Sequence, residues 1–208
     1  MAVICPTLLA YNTEEYKQAV ERVAFAPRVQ VDLMDGVFAP TKSIGIGDVY
    51  WNENQIADIH LMYKQPTGHI DALIALKPKT IILHAESDGD IESLLLKVKS
   101  SGISAGLCVL PETSVESVKG IIKQIEHLLI FGGKLGYNGG KADLSQLEKA
   151  GLAKAINPDI EIGWDGGANI ENAREMQLKG VDVINVGGGI HAQPNPEVAY
   201  RNILASVQ

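Results

Sequence analysis

Short apolar runs rich in β-branched residues alternate along this chain with stretches whose apolar positions recur at helical spacing. Eight such runs stand out: AVICPTLL, RVQVDLMD, IADIHLMY, TIILHAE, SAGLCVL, HLLIFGG, DIEIGWDGG and VDVINVGGG. Between them the spacing predicts helices over residues 13–25, 68–76, 90–100, 114–125, 144–156 and 169–179. Eight strands alternating with helices, with no linker, predict one α/β domain over residues 1–208. The architecture expected is a closed parallel (β/α)8 barrel of the TIM type, with a doubly wound open sheet as the competing arrangement. One crossover breaks the pattern: FAPTKSIGIGDVYWNENQ has weak helical periodicity and several turn residues, and predicts a long loop with a short helix.

Composition narrows the class. With 208 residues, 46% hydrophobic and 21% charged, the chain can bury one sizeable core and is short for two. A net charge of -7 argues against nucleic-acid or anionic-membrane partners. No apolar run approaches a membrane span, and the start MAVICPTLL lacks a basic leader, so a cytoplasmic location is expected. Cys5 and Cys108 sit in apolar segments and are expected to be small core residues in a reducing compartment.

Candidate chemistry falls at strand ends. Asp32 and Asp165 each follow a run of apolar strand residues, and two carboxylates on separate strands can move a proton on each face of one substrate carbon. The period of two puts Gln30, Asp32 and Met34 on one face, His60 and Met62 on another, and His84 with Glu86 on a third. Barrel active sites lie at the C-terminal ends of strands, where these residues cluster. By itself His60 is also readable as a satisfied core histidine, and His84 with Glu86 as a strand-end ion pair. Residues 132–143, GGKLGYNGGKAD, form the longest loop after the one just described, with five glycines and with Lys134 and Lys141 to supply charge. Together with DGGAN at 165–169 and VGGGIH at 186–191, it makes three glycine clusters on consecutive loops, a pattern suited to cradling and closing over a phosphate.

The strings VQVDLMDGVFAPTKSIG, DIHLMYKQP, ILHAE, GLCVLPET, LGYNGGK, WDGG and VGGGI occur in the order found in the ribulose-phosphate 3-epimerase family, which this chain resembles over almost its whole length. The resemblance implies a ribulose-phosphate-binding barrel that inverts carbon 3 of a ketose phosphate: ribulose 5-phosphate and xylulose 5-phosphate, or a relative such as a hexulose 6-phosphate. It implies Asp32 and Asp165 as the two acid/base groups, one removing the carbon-3 proton and the other returning a proton to the opposite face of an enediolate. It also implies a sugar-phosphate ligand, a homo-oligomer, and a divalent metal held by two histidines and the two aspartates. His60 matches one of those histidines; the other falls at Gln30, whose neutral amide oxygen is a poorer ligand for zinc or iron. Asp32, His60 and Asp165 remain as ligands for zinc, manganese, iron or magnesium. The alternative is a phosphosugar-binding barrel that has lost the metal site, and its activity or usual chemistry with it.

Other positions follow or depart from the family. Thr7 stands where the family has Ser, Met34 and Met62 keep the apolar cap over the intermediate, and Phe131 falls where a third methionine is expected. The substrate set implied by the resemblance is Thr7, Gln30, Met34, His60 and Met62, with the phosphate held by Gly139, Gly140, Gly166, Gly167, Gly187 and Gly188.

Overall fold

Every strand of the sheet buries both faces, one inside a barrel and one under helices, which is why the strand sequences read as nearly unbroken apolar runs. The computed structural model describes residues 1–137 and 139–208; Asn138, inside the glycine-rich loop, lies outside the described residues. Eight parallel strands pair in chain order and close on themselves: β1 (Val3–Leu8), β2 (Arg28–Met34), β3 (Ile56–Met62), β4 (Thr80–His84), β5 (Ser104–Val109), β6 (His127–Phe131), β7 (Glu161–Asp165) and β8 (Val183–Val186). The closing edge pairs Val3 with Val183 and Cys5 with Asn185. The open-sheet alternative is thereby excluded.

Outward-facing residues such as Ile4, Val31, Leu33, Ile59, Leu83, Leu107, Ile130, Ile162 and Trp164 pack against the surrounding helices in the main core. These helices are α1 (Thr13–Arg22), α2 (Ile70–Ala75), α3 (Ile91–Ser100), α4 (Lys119–Ile122), α5 (Glu148–Ile156), α6 (Ala173–Leu178), α7 (Gly188–His191) and α8 (Pro196–Ser206). Side-chain caps set several of the starts. Asn12 accepts from Glu15 N at 2.9 Å before α1, and Asp90 accepts from Ser93 N at 3.0 Å before α3. Among the described residues, no helix is long and apolar enough to cross a membrane.

The predicted helices all exist but several are shorter. The stretch 114–125 holds only a 3-10 turn and the single turn α4, because Gly120 and the β-branched Val115, Val118, Ile121 and Ile122 give little helix propensity. The crossover after β2 has one 3-10 turn at Ile46–Asp48, as its composition suggests. Helix α8 escapes the apolar-spacing count, although its start is marked in the sequence. Asn195 caps Val198 N at 3.1 Å and Pro196 occupies the first turn.

Candidate active site

The register of the sheet assembles the site. Asp32 on β2 stands opposite His60 on β3, and Met34 opposite Met62. Across the barrel, Phe131 on β6 stands opposite Asp165 on β7. All of these lie at or near the C-terminal ends of their strands and face inward.

At the bottom of the resulting cleft, the Gln30 side-chain NH2 donates to Asp32 Oδ1 at 2.9 Å and to Asp165 Oδ2 at 2.7 Å. His60 Nδ1 approaches the same two oxygens, at 3.2 Å from Asp32 and 3.3 Å from Asp165. One amide and one imidazole therefore hold two carboxylates face to face across a narrow gap. Burial raises the Asp32 pKa, and the nearby charge of Asp165 raises it further, to about 6. Burial works against protonation of His60, but hydrogen bonds to Asp165 and Asp32 outweigh it and raise its pKa well above the ordinary value.

The cleft above them has a volume of about 330 Å³. Met34, Met62 and Phe131 line its apolar side, and Thr7 lines its floor beside Asp32. Gly139, Gly140, Gly166, Gly167, Gly187 and Gly188 all line its rim. These glycines answer to different constraints. A Cβ on Gly166 would lie 2.2 Å from Gly133 N and one on Gly167 2.3 Å from Ala142 N, so there the backbones of two loops touch. A Cβ on Gly139 or Gly140 would meet nothing within 4 Å among the described residues, and there φ values of +82° and +113° call for glycine. Gly187 precedes the short helix α7, in which Ile190 N and His191 N both donate to Gly187 O at 3.0 Å.

The 132–143 loop folds back over the cleft. Thr41 Oγ1 donates to Gly136 O at 2.8 Å, and Leu135 packs on the apolar clusters around Met34 and Phe131. Lys134 lines the cleft with its ammonium 4.5 Å above the Tyr137 ring, whereas Lys141 is exposed and outside the lining. Only one of the two lysines of this loop therefore reaches the pocket.

Three features lay outside the sequence reading. Asn185, 2% exposed on β8, lines the cleft, and neither of its amide atoms has a hydrogen-bond partner among the described residues. An Asn in the apolar run VINV was the available signal. Cys108 is buried as expected, but it faces His60 and His84 in the barrel rather than apolar neighbours. Burial opposes its thiolate, yet His84 and His60 hold its pKa below the ordinary value. Lastly, the floor of the barrel is charged: Arg28 binds Asp58 at 2.6 Å and forks onto Glu161 at 2.8 and 2.7 Å, with His127 Nδ1 2.9 Å from Glu161.

The donor set suits a divalent ion. Asp32, His60 and Asp165 each offer one atom, all within 4.8 Å of one another, and the contacts of 3.2 and 3.3 Å match the edges of roughly 3 Å expected around a small cation. Gln30 Oε1, a buried acceptor without a partner among the described residues, belongs to the amide beside this set.

Comparison with known proteins agrees with the geometry. Residues 3–191 match the Ribulose-phosphate 3 epimerase family. The ribulose-phosphate 3-epimerase of Helicobacter pylori strain J99 is 30% identical over 207 residues, which cover 96% of this chain and 95% of that protein. The Aquifex aeolicus ribulose-phosphate 3-epimerase is 28% identical, with 98% and 96% covered. The fold also matches the crystal structure of 3-hexulose-6-phosphate synthase from Salmonella typhimurium, at a TM-score of 0.73 and 13% identity, covering 99% of this chain and 98% of that one. With its full-length match, its closed barrel and its paired carboxylates over a glycine-rimmed cleft, the chain belongs to the ribulose-phosphate 3-epimerase family.

Proposed function

We propose that this protein epimerises carbon 3 of a ketose phosphate, with Asp32 and Asp165 as the two bases. The observation that carries this reading is the pair of inward carboxylates from β2 and β7, tied to one NH2 and one imidazole at the bottom of a cleft. A ketose phosphate bound with its phosphate against Gly139, Gly140, Gly166, Gly167, Gly187 and Gly188 would extend its carbonyl end toward the aspartates. One carboxylate takes the carbon-3 proton, and the electron pair moves onto the carbonyl oxygen to give an enediolate. The other aspartate, protonated, delivers its proton to the opposite face. With no ion bound, burial and the charge of Asp165 raise the Asp32 pKa to about 6, so the carboxylate is ionised at neutral pH and a stronger base than a free aspartate.

The enediolate needs compensating charge, because a carboxylate alone does not deprotonate a ketone. A divalent ion held by Asp32, His60 and Asp165 would supply it as a Lewis acid. The chain offers donors of its own at the same place: the Gln30 NH2 and the His60 imidazole lie next to both carboxylates, and the Asn185 amide is free to bind a substrate hydroxyl. Met34, Met62 and Phe131 keep water from the planar intermediate. The loop 132–143 closes over the phosphate, with Lys134 as its cation.

Incubation in deuterated water with ribulose 5-phosphate, xylulose 5-phosphate and hexulose 6-phosphates tests the reading. Deuterium is expected to wash into carbon 3 of at least one of them. Binding of these sugars without exchange, with manganese, zinc, iron and magnesium each supplied, would leave a phosphosugar-binding barrel and refute the epimerase.

A further inference from the structure

Beneath the cleft, a second group of side chains meets inside the barrel. His84 on β4 stands opposite Cys108 on β5 in the strand register, and both are fully buried together with His60. The Nε2 atoms of His60 and His84 face each other at 2.8 Å. Each ring turns its other nitrogen to carboxylates. His60 Nδ1 points at Asp32 and Asp165, and His84 Nδ1 lies 3.3 Å from Glu86. Glu86 is in turn fixed by Leu110 N at 2.9 Å and by the Thr113 hydroxyl.

An ionised carboxylate only accepts hydrogen bonds, so each Nδ1 carries a proton, and a neutral imidazole of that tautomer has its lone pair on Nε2. With both rings neutral, two lone pairs would face one another in a dry space beside a thiol, whereas a proton on one ring closes the 2.8 Å contact as an N–H···N hydrogen bond. Something positive must sit between them, either one shared proton or a metal ion. The ligand atoms of His60, His84 and Cys108 all lie within 4.8 Å of one another.

We infer that His60 Nε2, His84 Nε2 and Cys108 Sγ form a binding site for a thiophilic divalent ion of the zinc class, one that shares His60 with the Asp32, His60 and Asp165 set in the cleft and competes with it for that ring. Two imidazoles and a thiolate are donors that zinc takes in preference to magnesium or manganese. Bond lengths of about 2.0–2.1 Å to nitrogen place two ligand nitrogens roughly 3.3 Å apart at a tetrahedral ion, so the rings must part by about half an ångström and tilt until both lone pairs converge on it. Carboxylates behind both histidines fix the tautomer that presents Nε2, an arrangement that recurs around protein-bound zinc. Phe38 packs on the His84 ring at 4.5 Å between centroids and Phe131 at 6.4 Å, which gives the site an apolar cover. An ion there holds the His60 ring from behind, with Nδ1 kept toward the two aspartates.

Because the site shares His60 with the cleft, it is tested by spectroscopy and not by activity. Chelator-stripped full-length protein is titrated with cobalt(II) as the probe. A thiolate-to-cobalt charge-transfer band in the near ultraviolet is expected, saturating at one cobalt per chain whatever further cobalt the cleft carboxylates take up. Cys108→Ser and Cys108→Ala should each lose that band while keeping the wild-type circular dichroism, and Asp165→Asn should keep it. Glu86→Gln should weaken cobalt binding about 10- to 100-fold. X-ray absorption of the zinc-loaded protein should show one sulfur at about 2.3 Å. Folded wild-type protein that binds neither metal would overturn the site and leave a shared proton between the histidines. Stoichiometric binding with no sulfur signature would overturn it equally, and would move the ion to the cleft carboxylates. Neither result bears on turnover, which is measured separately by deuterium exchange.

Discussion

The two ends of the barrel interior each hold a pair of acidic side chains, and they treat them in opposite ways. At the N-terminal end, Asp58 and Glu161 share the Arg28 guanidinium, with His127 also on Glu161. Burial works against the charges there, but the pairing outweighs it: Arg28 is held far above and Glu161 far below their ordinary pKa values. At the C-terminal end, Asp32 and Asp165 face each other with only a neutral amide and a histidine between them, and the Asp32 pKa goes up. The same chemical groups thus serve as an ion-pair network around a fixed guanidinium at one end and, at the other, as two like charges that share one amide and one imidazole. Two like charges held that close raise a pKa and can exchange protons with a ligand.

The largest expected effect breaks the upper pair. Asp165→Asn and Asp32→Asn should each lower the rate of carbon-3 deuterium exchange by about 10²–10⁴-fold, since an amide cannot accept the proton. Retention of full exchange by either variant would remove that residue from the mechanism. Next comes the lower network. Arg28→Met leaves the buried Asp58 without its cation, while the half-buried Glu161 keeps Lys79 at 3.3 Å, and should cost about 3 kcal/mol in urea unfolding. A loss near zero would show that the floor charges are solvated in place of being paired.

Acid sharpens the contrast, because the two ends carry opposite signs. Glu161 has a depressed folded pKa, so its contribution to stability is present above its unfolded pKa and is lost as pH falls toward the folded value. Asp32 has a raised folded pKa, so folding gains from its protonation below about pH 4 and loses that gain as pH rises through about 6. In metal-free protein, Asp32→Asn should therefore be more stable than wild type by about 3 kcal/mol at pH 7, an advantage that vanishes near pH 4. Urea midpoints measured across that range decide it, and a pH-independent difference would contradict the raised pKa. The smallest effect concerns the residue between the carboxylates. Gln30→His should tighten manganese or zinc binding about tenfold, the gain from one better ligand, as measured by metal content after dialysis against limiting metal. Equal occupancy in both proteins would mean that position 30 does not face the ion.

Much of this was written in the alternation of apolar residues. The eight strands and the inward parity of Gln30, Asp32 and Met34 follow from a period of two, and both persist in the structure. The same parity reaches back from Asp32 to Arg28 and from His60 to Asp58, so two of the four floor residues lay on strand faces already singled out in the sequence. What parity cannot supply is the stagger of the barrel, which decides that Arg28 meets Glu161, 133 positions away. Cys108 was hidden for a related reason. Its neighbours in sequence are apolar, and only the pairing of β4 with β5 brings it to His84. The contact between Gln30 and both aspartates likewise needs three strands in place, although the identity of the residue was the clearest anomaly in the chain.

Trp164 gives the molecule an optical property. The indole is wholly buried, donates from Nε1 to Gly166 O at 2.9 Å, and presses so closely on Gly132 that a Cβ there would lie 2.2 Å from the ring. Its ring therefore touches both the residue that opens the glycine-rich loop and the residue that follows Asp165. Trp51, the other of two tryptophans, sits on a different crossover and can be replaced by Phe without touching that contact. What remains is a single fluorophore whose emission reports on the loop hinge and the end of β7 together, without any label.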